Sequence, residues 1–503
     1  MLYPIGMKRS RILIEGRWTE SRVRRSLEVR NPATLERLGV VADCGKDDVD
    51  AAAAAARRAQ NAWWKTPGVE KAKLLREVGA RIRRDGRSLS RLMALETGKP
   101  LCEAVDCIDW VAACFEYYAE ISRSSYGNSI PPVAPHQFNF TIKEPYGVVA
   151  AIAPFNFPLL LMAWKVAPAL AAGNAVVCKP PHQNPLSSLR MARCYDVLPP
   201  GAVNVVTGGP GTGRLLVAHP KVDMVAFTGS TEAGRRIAVE AGRGLKKVNL
   251  ELGGVDPFIV FADADLDVAV RGVAWARLLN AGQVCTSSKR IILVQPIAEE
   301  FTRRILAHVQ TLRVGDPMKR DTDIGPLISA QAAAKVERQV AGAVRQGARL
   351  LLGGKRLRLP GLKGHFFQPT ILTRVRHGSL PTVEEIFGPV LAITAARDAD
   401  EAIRMADDSA YGLGACIYTN DLQLAMRAME HIKAGTFWIN DPLTDNEAGP
   451  FGGMRLSGIG RELGMEGLDA YREPKHVHLD YVMEAKSYWY PYKDRMPPFH
   501  GGN

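Results

Sequence analysis

The spacing of hydrophobic positions changes along the chain, and each spacing predicts a different kind of element. An alanine-rich stretch over 47–59 and a repeat of three and four over 74–94 are typical of helices. From Val148 onward, short apolar runs alternate with helix-like stretches. Runs of this kind are typical of parallel strands buried on both faces. The pattern therefore predicts an α/β fold in which helices cover both sides of a parallel sheet.

Four strand–helix units form the first part of this alternation. Their strands are expected at 148–153, 175–178, 203–206 and 224–227, and their helices at 159–172, 187–197, 211–219 and 232–241. A second set follows Glu251, and its first predicted helix, over 266–280, leads to Cys285. Alternating residues also predict a strand of a projecting arm at 138–146 and a final strand at 477–481, which could pair with a partner chain.

Composition narrows the class of protein. The 503 residues are 47% apolar and 23% charged, which suits about three globular domains of ordinary size. The net charge of +13 comes from scattered basic residues without a zinc-finger, RNA-binding or basic-helix pattern. The apolar stretch over 148–164 is interrupted by prolines and an asparagine, and the first residues lack the apolar core of a signal peptide. We therefore expect no nucleic-acid partner and no membrane partner.

Three separate segments carry candidate chemistry. Cys285 lies in Asn-Ala-Gly-Gln-Val-Cys-Thr-Ser-Ser, Glu251 ends a strand-like run before Leu-Gly-Gly, and Asn156 follows another apolar run. A lone cysteine is more often a small buried residue than a nucleophile. A thiol, a carboxylate base and an amide oxyanion donor are together what acyl chemistry at a carbonyl requires. The eight cysteines show no zinc-site spacing, so no metal is expected.

These segments, in this order, resemble the aldehyde dehydrogenase superfamily, and the resemblance extends over nearly the whole chain. It implies that Cys285 attacks an aldehyde while the Asn156 amide stabilises the oxyanion, and that Glu251 activates the water that hydrolyses the thioester. It also implies the hydrolytic type, because coenzyme-A-acylating relatives typically lack this base. Lys165 and Glu462 match positions that assist proton movement, although the two could instead form a structural ion pair.

The expected cofactor site lacks the Gly-x-Gly-x-x-Gly motif of many nucleotide-binding sheets. Phe-Thr-Gly-Ser at 227–230 instead joins a strand to a helix, and the free amides at a helix start attract phosphate. By itself this stretch is a helix cap. The resemblance implies that Gly229 and Ser230 contact a pyrophosphate.

The same resemblance implies which residues bind the remaining parts of the cofactor. Lys179 would bind the adenosine ribose, Glu385 would bind the nicotinamide ribose, and Phe387 would pack against the nicotinamide ring. His182 stands where the family often has a glutamate that repels the phosphate of NADP. We therefore expect NAD as the main cofactor, with appreciable use of NADP.

The resemblance also implies the organisation of the chain. Residues 1–122 and 144–250 would form the cofactor-binding domain, with 450–471 packing back on it. Residues 251–449 would form the catalytic domain, and 123–143 and 472–503 an oligomerisation arm and C-terminal tail. Such arms join subunits in the family, so a homodimer or homotetramer is expected. A catalytic thiol must stay reduced, which favours the cytoplasm.

Of the properties predicted here, the identity of the small-molecule aldehyde is the one that the sequence constrains least. Succinic-semialdehyde members tend to carry an arginine six residues before the nucleophile, and Leu279 stands there instead. Aromatic walls would suit a neutral aromatic or medium-chain aldehyde; they are expected from Phe155, Tyr117, Trp164 and Phe451. Three acidic residues within 441–447 make an amino- or betaine-type aldehyde the second choice.

Two other classes of function compete with this interpretation. A cysteine hydrolase would need a histidine beside the thiol, and none of the ten histidines lies in these motifs. A structural protein that has kept the fold would not need Cys285, Glu251 and Asn156 together.

Overall fold

The computed structural model describes residues 9–124 and 126–492. Its helices within that range are α1 Lys46–Lys65, α2 Gly68–Thr97, α3 Leu101–Ile121, α4 Leu160–Ala172, α5 Leu186–Met191, α6 Pro210–Ala218, α7 Thr231–Arg243, α8 Leu266–Leu278, α9 Ala298–Thr311, α10 Ala330–Arg345, α11 Leu380–Val383, α12 Ala399–Asp407, α13 Leu422–His431 and α14 Gly464–Asp469.

The strands are β1 Ile12–Ile14, β2 Arg17–Thr19, β3 Ser26–Arg30, β4 Arg37–Ala42, β5 Ser129–Ile130, β6 Gln137–Pro145, β7 Val148–Ile152, β8 Ala175–Lys179, β9 Val203–Val205, β10 Met224–Thr228, β11 Lys247–Glu251, β12 Pro257–Val260, β13 Arg290–Val294, β14 Arg349–Leu352, β15 Thr370–Thr373, β16 Val390–Ala396, β17 Tyr411–Gly412, β18 Gly414–Tyr418, β19 Thr436–Ile439, β20 Met454–Arg455, β21 Gly458–Ile459 and β22 Arg472–Asp480.

The first sheet has the order β2-β1-β9-β8-β7-β10-β11-β21. Its five central strands are parallel, and β7, β8 and β10 are buried along their whole length. Both edges of the sheet are antiparallel. At one edge β1 pairs with β9 and with β2, and at the other β21 pairs with β11. The predicted α/β fold is confirmed, with antiparallel edges that the pattern of single strands does not show.

The second sheet has the order β14-β15-β16-β13-β12-β18-β19, and its strands are parallel except for β14. Each of the two sheets has its own hydrophobic core. Helix α8 packs in the core of the second sheet, yet Cys285, which follows it, packs against the core of the first. The candidate nucleophile therefore lies where the two cores meet.

The arm is a third, antiparallel sheet of order β22-β6-β5. Strand β22 pairs with β6 over its whole length, from Arg472 opposite Pro145 to Asp480 opposite Gln137. The strand predicted at 477–481 is thus the second half of β22, and it pairs within its own chain. None of the helices in the described part of the chain combines the length and apolar composition that a membrane crossing needs.

Two helix predictions need correction. The helix expected over 266–280 ends at Leu278, because Asn280 and Ala281 adopt left-handed backbone conformations. The helix expected over 187–197 is α5 followed by a 3-10 helix over Ala192–Val197. In both places the hydrophobic spacing continues past the end of the α-helix.

Candidate active site

The loop that carries Cys285 begins with three left-handed residues in succession. Their φ angles are 50° at Asn280, 55° at Ala281 and 74° at Gly282. Asparagine and glycine tolerate this region, whereas alanine costs roughly 1–2 kcal/mol there. A Cβ at Gly282 would lie 2.2 Å from the carbonyl oxygen of Gly388, so the loop passes directly against the segment after Phe387. The conformation turns the chain sharply between α8 and the nucleophile.

Asn280 holds this loop in place. Its backbone N–H donates to the buried carboxylate of Glu103 in α3, at 3.0 and 3.3 Å. Its side-chain amide donates to the carbonyl oxygen of Asn156 at 3.0 Å. The segment with the expected oxyanion donor is therefore bonded directly to the segment with the expected nucleophile. Asn184 holds the other side, donating to the carbonyl of Phe155 at 2.7 Å.

A buried arginine joins the same loop to the Glu385 segment. Arg277, in α8, donates to the Gly282 carbonyl at 3.2 Å and to the Ser287 hydroxyl at 2.8 Å. It also donates to the carbonyls of Ile386 and Val390, at 2.7 and 2.5 Å. Burial lowers the pKa of its guanidinium to about 9, with the charge of Glu385 opposing that shift. The four bonds compensate for the burial of this cation.

Cys285 lies among carboxylates. Burial, followed by the negative charges of Asp256, Glu385 and Glu251, raises the pKa of its thiol to about 12, while the positive charge of Lys289 lowers it. These influences place all four charged groups close to the thiol. The resting cysteine is therefore protonated, and forming the thiolate requires either a base or an added positive charge.

Glu251 ends β11 with a fully buried carboxylate. Neither of its oxygens has a hydrogen-bond partner among the described residues, and a Cβ at Gly452 would lie 2.7 Å from Oε1. Burial, then the charge of Glu462, raises the pKa of Glu251 well above its usual value, against the charges of Lys165 and Arg461. A buried, unpartnered carboxyl with a raised pKa has the properties of a general base.

Lys165 and Glu462 form the ion pair that the sequence left open as an alternative. Nζ of Lys165 lies 2.5 Å from Oε1 of Glu462 and donates to the Thr228 hydroxyl at 2.6 Å. Both side chains are fully buried. Because the charges of both act on Glu251, the pair lies beside the candidate base. A role in moving protons stays a prediction.

Four of the expected cofactor residues lie at or just after the carboxyl ends of β8 and β10, the two strands that flank β7 in the first sheet: Lys179, His182, Gly229 and Ser230. Open α/β sheets bind ligands at such strand ends. Lys179 ends β8, is almost fully buried, and donates to the Pro180 carbonyl at 3.1 Å. Burial lowers its pKa to about 8, and the charge of Asp43 opposes this shift. Burial, and then the charge of Lys179, also lowers the pKa of His182. His182 is therefore neutral near pH 7 and attracts phosphate less than the sequence suggested.

Ser230 is the N-cap of α7 and accepts from the Ala233 amide at 3.3 Å. A Cβ at Gly229 would lie 2.4 Å from the ring of Phe227, so only glycine fits between this ring and the helix start. The acid that follows, Glu232, pairs with Arg236 instead of closing a capping box. The first amides of α7 thus remain open to an anion.

Glu385 and Phe387 reach the site from the second sheet. Glu385 lies 3.3 Å from the ammonium of Lys289, and a Cβ at Gly253 would lie 2.4 Å from one of its oxygens. The Phe387 ring meets that of Phe155 edge to face, with centroids 5.8 Å apart. Phe155 thus lies on the expected cofactor side, and its predicted contact with the aldehyde gains no support.

Trp164 and Phe451 form an aromatic pair. Their ring centroids are 5.0 Å apart, and both belong to the hydrophobic cluster against which Cys285 packs. Tyr117 packs against the same cluster, and burial, followed by the charges of Glu466 and Glu447, raises its pKa. Leu279 is half-buried where α8 ends.

Several residues that shape the site were not predicted: Asp43, Glu103, Asp256, Arg277 and Lys289. Each acts through a contact between segments far apart in sequence, which no local pattern reveals. The sequence held one local sign of such residues, namely arginines within apolar stretches, such as Arg277 and Arg290. A charged side chain in such a stretch must be paired if it is buried. No cluster of three metal-binding side chains occurs among residues 9–124 and 126–492.

Comparison with known proteins defines the class. The model of the aldehyde dehydrogenase family matches residues 18–477. The chain belongs to this family. Betaine aldehyde dehydrogenase 1 of Oryza sativa subsp. japonica is 39% identical over 97% of this chain and 99% of its own length. The NADP-dependent succinate-semialdehyde dehydrogenase of Escherichia coli is 40% identical over 93% of this chain and 97% of its own length.

A solved structure agrees with these relatives. Betaine aldehyde dehydrogenase of Staphylococcus aureus in complex with NAD+ superposes with a TM-score of 0.93 at 35% identity, covering 96% of this chain and 97% of that one. The expected enzyme class, an NAD(P)-dependent aldehyde dehydrogenase, is thereby confirmed.

Proposed function

We propose that the protein oxidises an aldehyde to a carboxylic acid through a covalent intermediate on Cys285. The observation that carries this proposal is the direct bond from Asn280 to Asn156, which fixes the nucleophile loop against the oxyanion donor. The Cys285 sulfur bonds to the carbonyl carbon, and the side-chain amide of Asn156 and the backbone amide of Cys285 donate to the oxyanion. One such donor is worth about 3 kcal/mol to the transition state.

The second half of the reaction depends on Glu251. Loss of hydride from the carbon converts the tetrahedral adduct into a thioester; bound NAD supplies the hydride acceptor. Glu251 then takes a proton from water as the water oxygen attacks the thioester carbon, and the carbon–sulfur bond breaks to release the acid and leave Cys285 as a thiolate. We propose that this proton leaves Glu251 through the neighbouring Lys165–Glu462 pair.

For the cofactor, we propose NAD as the main species, with appreciable use of NADP. The buried ammonium of Lys179 and the open amides of α7 fit a dinucleotide. The charge of Asp43 acts on both Lys179 and His182. Asp43 therefore supplies a carboxylate near His182, the position at which the family often has a glutamate. This carboxylate favours NAD, and the neutral His182 still permits NADP.

Dissociation constants for NAD and NADP, measured by fluorescence quenching, test the cofactor assignment. His182→Glu should weaken NADP binding by at least about tenfold, and Asp43→Asn should strengthen it, because like charges oppose the 2′-phosphate. Binding of NAD should change little in His182→Glu. A preference of the native protein for NAD beyond about a thousandfold would show that another group excludes the phosphate.

For the substrate, we propose a neutral aromatic or medium-chain aldehyde. The Trp164–Phe451 pair, which belongs to the hydrophobic cluster against which Cys285 packs, offers an apolar wall, and Leu279 supplies no cation for an acidic tail. A second candidate is an amino- or betaine-type aldehyde, favoured by Asp445. This side chain is half-buried, and burial raises its pKa to about 7. A cationic tail would stabilise its ionised form.

The deciding measurement is kcat/KM for benzaldehyde, hexanal, betaine aldehyde and succinic semialdehyde with the native protein and Asp445→Asn. We expect benzaldehyde or hexanal to be best and unaffected by the variant. The second candidate holds if betaine aldehyde is best and falls by at least about tenfold in Asp445→Asn. A preference for succinic semialdehyde would contradict the inference from Leu279. No turnover of any aldehyde would favour a structural role.

We also propose that the parts of the chain divide as the sequence predicted and that the protein is a homodimer or homotetramer. The three sheets support this division, since β21, at 458–459, completes the first sheet beside β11. The outer edge of β22 supports association of subunits through the arm. A cytoplasmic location stays a prediction.

A further inference from the structure

A buried lysine lies between the nucleophile and the cofactor-side acid. Lys289 is 2% exposed, and its ammonium donates to the backbone carbonyl oxygen of Cys285. The same ammonium lies 3.3 Å from Oε1 of Glu385. A buried ammonium is stable only when it is paired and hydrogen-bonded, and these two contacts satisfy that requirement.

The two partners of Lys289 belong to different parts of the site. Cys285 lies on the loop after α8, in which Ser287 and Gly282 are tied to Arg277. Glu385 lies on the segment before β16, which is tied to the same Arg277 through Ile386. Arg277 thus joins the two backbones, whereas Lys289 joins the nucleophile to the carboxylate itself. A displacement of either segment would break the Lys289 bridge.

We propose that Lys289 is a positioning residue that aims the Glu385 carboxylate at the cofactor ribose and raises the fraction of Cys285 present as thiolate. This inference rests on the proposed function, because it takes Glu385 as a ribose-binding acid and Cys285 as the nucleophile. Neither role belongs to a structural ion pair, which would hold the loop but leave the thiol and the cofactor unaffected.

The charges around Cys285 make this role necessary. Asp256, from the start of β12, Glu385 and Glu251 all disfavour the thiolate, and Lys289 is the cation that opposes them among the described groups acting on this thiol. Burial raises the pKa of Asp256 to about 7, and the charge of Lys289 opposes that rise. Removing the positive charge leaves three carboxylates facing the thiol without compensation.

The same charge affects Glu385. A carboxylate accepts from two ribose hydroxyls at once only if it is ionised and correctly oriented. Lys289 fixes one oxygen of Glu385, and the backbone amide of Gly254 lies 3.5 Å from that oxygen. Without the ammonium, Glu385 would turn freely beside Gly253, and the affinity for NAD would fall.

The test uses Lys289→Gln, which can still donate to the Cys285 carbonyl but carries no charge, and Lys289→Arg, which keeps the charge. Lys71→Gln is the matched control, because Lys71 is also buried and donates to a carbonyl, that of Trp64, away from the site. Two quantities are measured on folded full-length protein without turnover. They are the pH dependence of Cys285 alkylation by iodoacetamide, and the dissociation constant of NAD.

In Lys289→Gln we expect Cys285 alkylation to slow roughly tenfold at each pH between about 7 and 9, because a smaller fraction of the thiol is ionised there. The NAD dissociation constant should rise by a similar factor. Lys289→Arg should keep the native alkylation rates, and Lys71→Gln should change neither quantity. Unchanged alkylation and NAD binding in Lys289→Gln would overturn the proposal and leave Lys289 a structural residue.

If Lys289→Gln does not fold, Glu385→Gln tests the bridge from its other end. In Glu385→Gln the negative charge is removed while Lys289 stays, so Cys285 alkylation between pH values of about 7 and 9 should become faster and NAD binding should weaken. An unchanged alkylation rate would contradict the proposal. These results are distinct from failure of the proposed function. That failure would appear as full aldehyde oxidation by Cys285→Ala, whatever the alkylation profile of Lys289 variants.

Discussion

At the scale of single residues, the base and the nucleophile are both held in their uncharged forms. Burial raises the pKa of Glu251 and of Cys285, and the nearby carboxylates raise both further. Burial thus disfavours the charged forms of Glu251 and Cys285, against the opposing charges of Lys165 and Arg461 at Glu251 and of Lys289 at Cys285. Reaction requires that each lose a proton, so the pH dependence of each half-reaction reports on one group.

We expect the hydrolysis half-reaction to accelerate as pH rises. The folded-state pKa of Glu251 lies above its unfolded value, so the carboxyl stays protonated at pH values where a free glutamate is ionised, and only the ionised form accepts a proton. Steady-state turnover with saturating aldehyde and NAD should therefore climb from weakly acidic to weakly alkaline pH.

Rapid-mixing measurements separate this effect from ionisation of Cys285, because the burst of reduced cofactor precedes hydrolysis. In Glu251→Gln the slow phase should be weak and nearly independent of pH, whereas the burst should keep its dependence. A slow phase that retains the native pH profile in this variant would assign the base to another residue.

At the scale of elements, the loop between α8 and β13 determines the site. Hydrophobic spacing predicted the helix that leads to Cys285, the strand that precedes Asn156 and the strand that ends at Glu251. It did not predict where that helix ends, because the left-handed turn is stabilised by Glu103 and Asn156, which are remote in sequence. Such contacts between segments are also why Arg277 and Lys289 were not found.

Variants of Asn280 separate the two contributions of this turn. Asn280→Ala should destabilise the protein by about 2 kcal/mol, through the cost of the left-handed backbone and the loss of one hydrogen bond. Asn280→Gly should lose only about 1 kcal/mol, because glycine adopts this conformation freely. Both should lower kcat roughly tenfold, since both release Asn156 from the nucleophile loop.

Thermal unfolding and steady-state kinetics on the two variants check this account. Equal stability of the alanine and glycine variants would show that the turn stores no strain. A native kcat in Asn280→Gly would show that the bond to Asn156 does not position the reacting groups.

At the scale of the whole molecule, β22 forms an outer edge of the arm, and we propose that subunits associate through this edge. The amides of Thr141 and Lys143 donate toward β5, to the carbonyls of Asn128 and Tyr126. Thr141 lies opposite His476 in the antiparallel register, so the His476 amide points away from β6. The resemblance predicted an oligomerisation arm, but its pairing register is visible only in the structure.

We expect His476→Pro to weaken or abolish association of subunits while the arm stays folded. Proline at this position removes an outward N–H and leaves the bonds between β22 and β6 intact. Light scattering coupled to size-exclusion chromatography measures the mass, with His476→Ala as the matched control. An unchanged oligomer in His476→Pro would place the subunit contact elsewhere.

The proposed mechanism requires that Cys285 carry the substrate as a thioester that Glu251 removes. The most direct test mixes Glu251→Gln with NAD and a reactive aldehyde, quenches the reaction with acid, and determines the intact and peptide masses. We expect one acyl group per chain on Cys285, together with one equivalent of reduced cofactor and no adduct in Glu251→Gln that also carries Cys285→Ala. Reduced cofactor without an acyl group on Cys285, or an acyl group on another residue, would contradict the account.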